Sequence, residues 1–150
     1  MTPAEVLAEL LVGGSKRPAS ELNATLRAIW PLLHGPQHTH GLRELVELFR
    51  RAGYVSDGIP RPNGDLTIYR GELVDHHEPG IAWTTDFQTA RSYAQRYAST
   101  GHTQVVQSTA PPAAVLARFH QEAEAVVDPD LLKGHKNLGY IPHFVLPLLG

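Results

Sequence analysis

The stretch Phe119-His120-Gln121-Glu122-Ala123-Glu124-Ala125-Val126-Val127-Asp128-Pro129 sets two carboxylates one residue apart, directly before an apolar pair. On an extended strand successive side chains alternate faces, so Glu122 and Glu124 would point the same way with their backbones about 7 Å apart. On a helix they would diverge by roughly 200°. The helical reading has support of its own, because 113–125 is rich in helix formers, follows Pro111 and Pro112, and stops at Asp128-Pro129. The choice decides the fold. A strand belongs to a β-rich second half in which two aligned carboxylates can share one substrate, whereas a helix leaves a charged solvent face.

On both sides of this stretch the texture favours strands. Short runs rich in β-branched and aromatic residues occur at 66–70, 80–84, 103–109, 115–119, 124–127 and 141–146. One helix interrupts them, from about 86 to 99, opened by a Thr85-x-x-Gln88 capping box and carrying Phe87, Ala90, Tyr93, Ala94 and Tyr97 along one side. Before residue 66 the glycine, proline and asparagine of 56–65 mark a loop.

The chain begins with helices. Thr2-Pro3-Ala4-Glu5 is a capping box with proline at the first helical position, followed by Val6, Leu7, Leu10 and Leu11 on one face and a Gly13-Gly14 stop. Ser20 can cap a second helix whose stripe is Leu22, Leu26, Ile29, Trp30 and Leu33, with Pro31 ending or kinking it. A third spans about 41–52, with Leu42, Leu45, Val46 and Phe49 inward, Arg43/Glu47 and Glu47/Arg51 as exposed pairs, and Gly53 closing it. Helices first and strands later predict an α+β domain with largely antiparallel strands, its helical part at 1–55 and its strand-rich part at 66–150.

Composition bounds the function. With 150 residues, 42% hydrophobic and 19% charged, the chain fits one globular domain with a single core. A formal net charge of −2 provides no basic footprint for nucleic acid. Cysteine is absent, which excludes a disulfide framework, a thiolate nucleophile and a zinc-thiolate cluster. The first residues lack a basic segment and a long apolar run, so neither a secretion signal nor a membrane span is expected, and the expected location is cytoplasmic.

Three motifs then fall in one order: Tyr69-Arg70-Gly71 ending a strand, Gly80-Ile81-Ala82-Trp83-Thr84-Thr85-Asp86 leading into a helix, and Glu122-Ala123-Glu124 opening a late strand. This arrangement resembles the arginine-serine-glutamate class of mono-ADP-ribosyltransferases, which includes the cholera-type and clostridial-type toxins. The resemblance covers about 66–129 and implies their fold, N-terminal helices followed by a mainly antiparallel two-sheet core. It implies NAD as substrate and a protein arginine as acceptor, with no metal, membrane or nucleic acid. An NAD glycohydrolase and a non-catalytic nucleotide-binding or interaction module are the alternatives.

Breaking the nicotinamide-ribose bond passes through an oxocarbenium-like state, which a fixed carboxylate stabilises. By the resemblance Glu124 takes that role, and Glu122 faces the acceptor guanidinium. Arg70 would pair with the diphosphate through its planar fork. Gly71 would let its backbone approach the nicotinamide amide. Tyr69, Thr84 and Thr85 complete the expected NAD contacts, and Trp83, Phe87 and Tyr93 could stack on nicotinamide or adenine, although aromatics at such spacings also build cores. The sequence departs from the family at Ala82, which replaces the serine that normally bonds the catalytic glutamate; Thr84, or Thr85 after a register slip, could supply a hydroxyl instead. The nine histidines include His38-x-His40 and His76-His77, but no accompanying carboxylate spacing suggests a metal site.

Overall fold

The computed structural model describes residues 1–13, 16–33, 40–74 and 80–141. Helix α1 (Pro3–Gly13) opens on the expected capping box: Glu5 N donates to Thr2 Oγ1 at 3.1 Å, and the Glu5 carboxylate accepts from Thr2 Oγ1 at 2.9 Å. Helix α2 (Ala19–Ile29) starts two residues early, after Pro18 and without a side-chain cap, so Ser20 is its second residue and not its cap. Pro31 ends α2 as expected, in a tight turn over Trp30–Leu32. Helix α3 (Leu42–Ala52) closes at Gly53, whose φ of 77° is the left-handed conformation that suits glycine. Among the described residues the Arg43/Glu47 and Glu47/Arg51 pairs do not form; Arg43 reaches Asp130, and Arg50 reaches Asp128 at 3.2 Å, tying α3 to the segment after the last core strand.

The strands are β1 (Val55–Ser56), β2 (Leu66–Leu73), β3 (Ala82–Thr84), β4 (Thr103–Ala110), β5 (Val115–Phe119), β6 (Glu124–Val127) and β7 (Lys133–Ile141), with α4 (Phe87–Tyr97) between β3 and β4. The continuous-helix reading of 113–125 is therefore set aside. The chain is α+β, but the two-sheet core expected for it is corrected: the strands form one seven-stranded ladder in the order β1-β5-β6-β3-β2-β4-β7. All neighbours are antiparallel except β1 with β5. The two halves nevertheless part at a seam. β2 pairs with β4 along its full length, from Leu66↔Ala110 to Leu73↔Thr103, yet it meets β3 only at Tyr69↔Thr84.

Three packed clusters fix this frame. The largest joins Leu7, Leu10, Leu22, Leu26, Leu45, Leu48 and Phe49 of the helices to Phe119 and Val126 of the sheet. Each such side chain, fully buried, contributes about 1.5–3 kcal/mol by leaving water. A second cluster lies on the opposite face, around Ile68, Trp83, Ala125 and Val127, and a third puts Ala90 and Ala94 of α4 against Val105. The helical layer α1–α3 thus covers the β5/β6 end, α4 covers β2 and β4, and the seam lies between them.

Two strands escaped the sequence reading. β1 is two residues long, and β7 is a mostly exposed edge strand reading Lys-Gly-His-Lys-Asn-Leu-Gly-Tyr-Ile, whose polar text lacks alternation. The strand expected at 141–146 falls, after Ile141, outside the described residues. Helix α4 is capped by Asp86, whose carboxylate accepts from Thr89 N at 3.3 Å and from Thr89 Oγ1 at 2.7 Å, so the Thr85-x-x-Gln88 box does not form its start. Among the described residues no helix is long and apolar enough to cross a membrane.

Candidate active site

A cavity of about 310 Å³ opens over the seam, lined by residues of the α2 corner, β2, β3, α4 and the turn before β6. That volume is at the lower end of the roughly 300–1,000 Å³ typical of small-molecule sites. Glu124, the first residue of β6, lies across the ladder from Thr84 and shares a face with Val126, which is buried under the helices. Its carboxylate therefore stands between sheet and helical layer. Oε2 accepts a hydrogen bond from Trp30 Nε1 at 3.0 Å. Burial pushes the carboxyl up to about 7, and the nearby Glu122 charge pushes the same way against the opposing Trp30 hydrogen bond.

Glu122 is not on the strand. It sits in the turn Gln121–Ala123 at φ 57°, ψ 19°, followed by Ala123 at φ 46°, two consecutive non-glycine residues in the left-handed region. Such residues cost about 1–2 kcal/mol each and persist where their surroundings over-determine them. Here the restraints can be named. Thr84 Oγ1 donates to the Glu122 carbonyl at 2.7 Å, Thr85 N to the Ala123 carbonyl at 3.0 Å, and Ala123 N to the His120 carbonyl at 3.0 Å. The Asp57 carboxylate accepts from His120 N at 3.1 Å and lies 2.8 Å from His120 Nδ1. Strand alternation therefore does not align the two carboxylates; a strained turn does, and both line the cavity.

Arg70 also lines the cavity, with a side chain only 12% exposed. Nη1 lies 3.4 Å from the Ala82 carbonyl and Nε 3.7 Å from Glu72 Oε2, while Nε has no hydrogen-bond partner among the described residues. Burial pushes the pKa of the guanidinium down from its ordinary value, and Glu72 opposes that shift. The guanidinium occupies the space above Gly80, where an added Cβ would come within 1.1 Å of Nη1. Gly80, which the sequence reading placed at the head of a strand and of the second motif, thus leaves the room that the guanidinium takes.

The remaining expected NAD contacts divide. Tyr69 and Tyr93 line the cavity; Tyr93 is 45% exposed and its ring centroid is 4.6 Å from that of Tyr97. Thr84 also lines it, but its hydroxyl holds the Glu122 turn and accepts from Asp86 N at 3.0 Å. Thr85 and Phe87 are not in the lining: Thr85 serves the same turn, and the Phe87 ring packs edge-on against Tyr69 at 5.7 Å. Trp83 lines the cavity but is only 6% exposed; its Nε1 donates to the Gly80 carbonyl at 2.9 Å and its ring stacks on His135. The indole is therefore committed to the far face of the sheet and is not free to stack on a ligand. Gly71 lines the cavity as expected of a ligand contact, and its missing side chain has a packing reason as well, because a Cβ there would lie 2.4 Å from the Ala90 carbonyl oxygen and 2.8 Å from Ala94 N. It seats α4 on β2.

Neither Thr84 nor Thr85 makes up for the missing hydroxyl at Ala82, since the donor to Glu124 is Trp30, which the sequence placed in an apolar stripe. Thr89, Arg96 and Tyr97 are further lining residues missed at that stage. Their signal was available: Thr89, Tyr93, Arg96 and Tyr97 recur at i, i+4, i+7 and i+8, one face of α4. Among the described residues no cluster could hold a metal ion; His38, His76 and His77 lie outside them. What the cavity offers is a buried carboxylate, a second carboxylate at the rim, an under-satisfied cation and aromatic walls. Comparison with protein-family models, curated proteins and solved structures found no match to this chain.

Proposed function

We propose that the cavity binds NAD and that the protein is a mono-ADP-ribosyltransferase, the two halves of its single sheet standing in for the two sheets of that fold, modifying arginine on a protein target. The observation that carries the reading is the meeting of the Glu122-Ala123-Glu124 carboxylates with Arg70, from two distant parts of the chain, in one cavity at the sheet seam. In this reaction the bond between nicotinamide and ribose C1′ breaks, its electron pair leaves with nicotinamide, and positive charge develops on the ribose. The ionised Glu124 stabilises that charge in a site where little water competes. Glu122 binds the incoming guanidinium and takes the proton lost when its nitrogen bonds to C1′. Arg70, whose side chain lines the cavity, supplies guanidinium donors for the diphosphate. Tyr69 and Tyr93 provide aromatic surface, while Trp83 and Phe87 act as packing.

The test is to incubate purified protein with NAD labelled in its adenylate part, together with cell lysate. The expected result is nicotinamide release with label on protein. Release of free ADP-ribose alone would make the protein a glycohydrolase. Binding of NAD without turnover would make it a nucleotide-binding module, and no binding would overturn the reading.

A further inference from the structure

We infer that Trp30 is a positioning residue: its indole N–H holds one oxygen of the Glu124 carboxylate and so fixes how the other oxygen addresses the cavity. The catalytic consequence rests on the function proposed above, whereas the contact stands on geometry. Trp30 Nε1 lies 3.0 Å from Glu124 Oε2. The indole is 3% exposed and set edge-on against Phe49 with centroids 4.8 Å apart, so water does not compete for its N–H. It follows the end of α2 and starts the short turn that Pro31 stiffens, and both residues face the cavity. The indole engages Oε2, and Glu124 lines the cavity, so the carboxylate is held on one side and addresses the cavity on the other. The other polar side chains on this part of the sheet are engaged: Thr84 and Thr85 hold the Glu122 turn, and Ala82 has only a methyl group. Indole has a single polar function, as a donor. Phenylalanine would fill the same apolar niche without that donor, so packing and positioning can be separated by one substitution.

The chain has only two tryptophans, which makes the contact directly observable. In the ¹⁵N-labelled protein the Trp30 indole N–H signal is expected to shift with pH as Glu124 titrates. Trp83, whose N–H goes to the Gly80 carbonyl, is the internal control and should not follow it. Glu124→Gln should abolish the shift, which separates it from titration of the neighbouring Glu122. In Trp30→Phe, kcat for nicotinamide release should fall about tenfold to a hundredfold, the loss expected for a hydrogen bond to a charged group. KM should stay close to the wild-type value, and the pH midpoint of kcat/KM should move upward, since the donor that favoured the charged form is gone. A Trp30 signal indifferent to both pH and Glu124→Gln would overturn the inference, as would a folded Trp30→Phe with unchanged kcat and pH midpoint. If the wild-type protein leaves NAD intact, the proposed function fails and the indole titration still decides the role of Trp30; it decides it equally if Trp30→Phe does not fold.

Discussion

Arg70 and Glu124 are each held in a state that costs stability. Burial opposes the charge on Arg70, and its Nε has no hydrogen-bond partner among the described residues, only an ion pair with Glu72 at 3.7 Å. An apolar side chain of similar length there should be neutral or stabilising, because a buried and incompletely paired charge rarely recovers its desolvation cost. Arg70→Met is therefore expected to keep or raise Tm while weakening NAD binding about tenfold to a hundredfold, as read by calorimetric titration. A collapse in Tm would mean that the guanidinium is structural. Glu124 gives a pH prediction. Its carboxyl rises from 4.5 to about 7 in the folded state, so between those values the native chain binds more protons than the unfolded one. Stability from this group is thus fully present below pH 4.5 and is lost as pH rises through about 7. Denaturant titrations of wild type and Glu124→Gln should diverge across that window, the variant becoming more stable above it by on the order of 3 kcal/mol. The proposed chemistry needs the ionised form, so kcat/KM should rise with pH through the window in which stability declines.

At the scale of elements, two contacts decide whether the site is assembled. Gly71 is where α4 lies on β2, and the atoms nearest an added Cβ are backbone, which cannot turn aside. Gly71→Ala should lift α4 and destabilise the protein by about 1–3 kcal/mol, measured by chemical denaturation. The same substitution at Gly80 meets only the end of the Arg70 side chain, so it should fold and instead displace the guanidinium. Thr84 joins β3 to the left-handed turn that presents Glu122. Thr84→Val preserves the branched shape on the strand and removes the hydroxyl; it should cost about 1–3 kcal/mol by leaving the Glu122 carbonyl short of a donor. Arginine modification should then fall more than nicotinamide release. Equal losses in the two activities would show that the turn does not serve acceptor binding.

Over the whole molecule, the parts of the fold legible in the sequence were those with strong local signals. The capping box at Thr2, the stop at Gly53 and the strands at 115–119 and 124–127 lie where expected. The seam was not legible, because it comes from two half-sheets sharing one residue pair, a property of register that no local pattern encodes. For the same reason the second roles of Trp30 and Thr84 were not legible: Trp30 is core, as its stripe suggested, yet also donates to Glu124 from the far end of the chain, and Thr84 lines the cavity yet also holds the Glu122 turn. The central claim is that one cavity divides its two carboxylates between bond cleavage and acceptor activation. It is tested most directly by measuring nicotinamide release and label on an arginine acceptor, side by side, for Glu122→Gln and Glu124→Gln at matched folded concentration. Glu124→Gln should abolish both activities, whereas Glu122→Gln should lose arginine labelling, a general-base contribution of about 10²–10⁴ in rate, and retain nicotinamide release. Equal loss of both activities in the two variants, or no loss in either, would contradict that division.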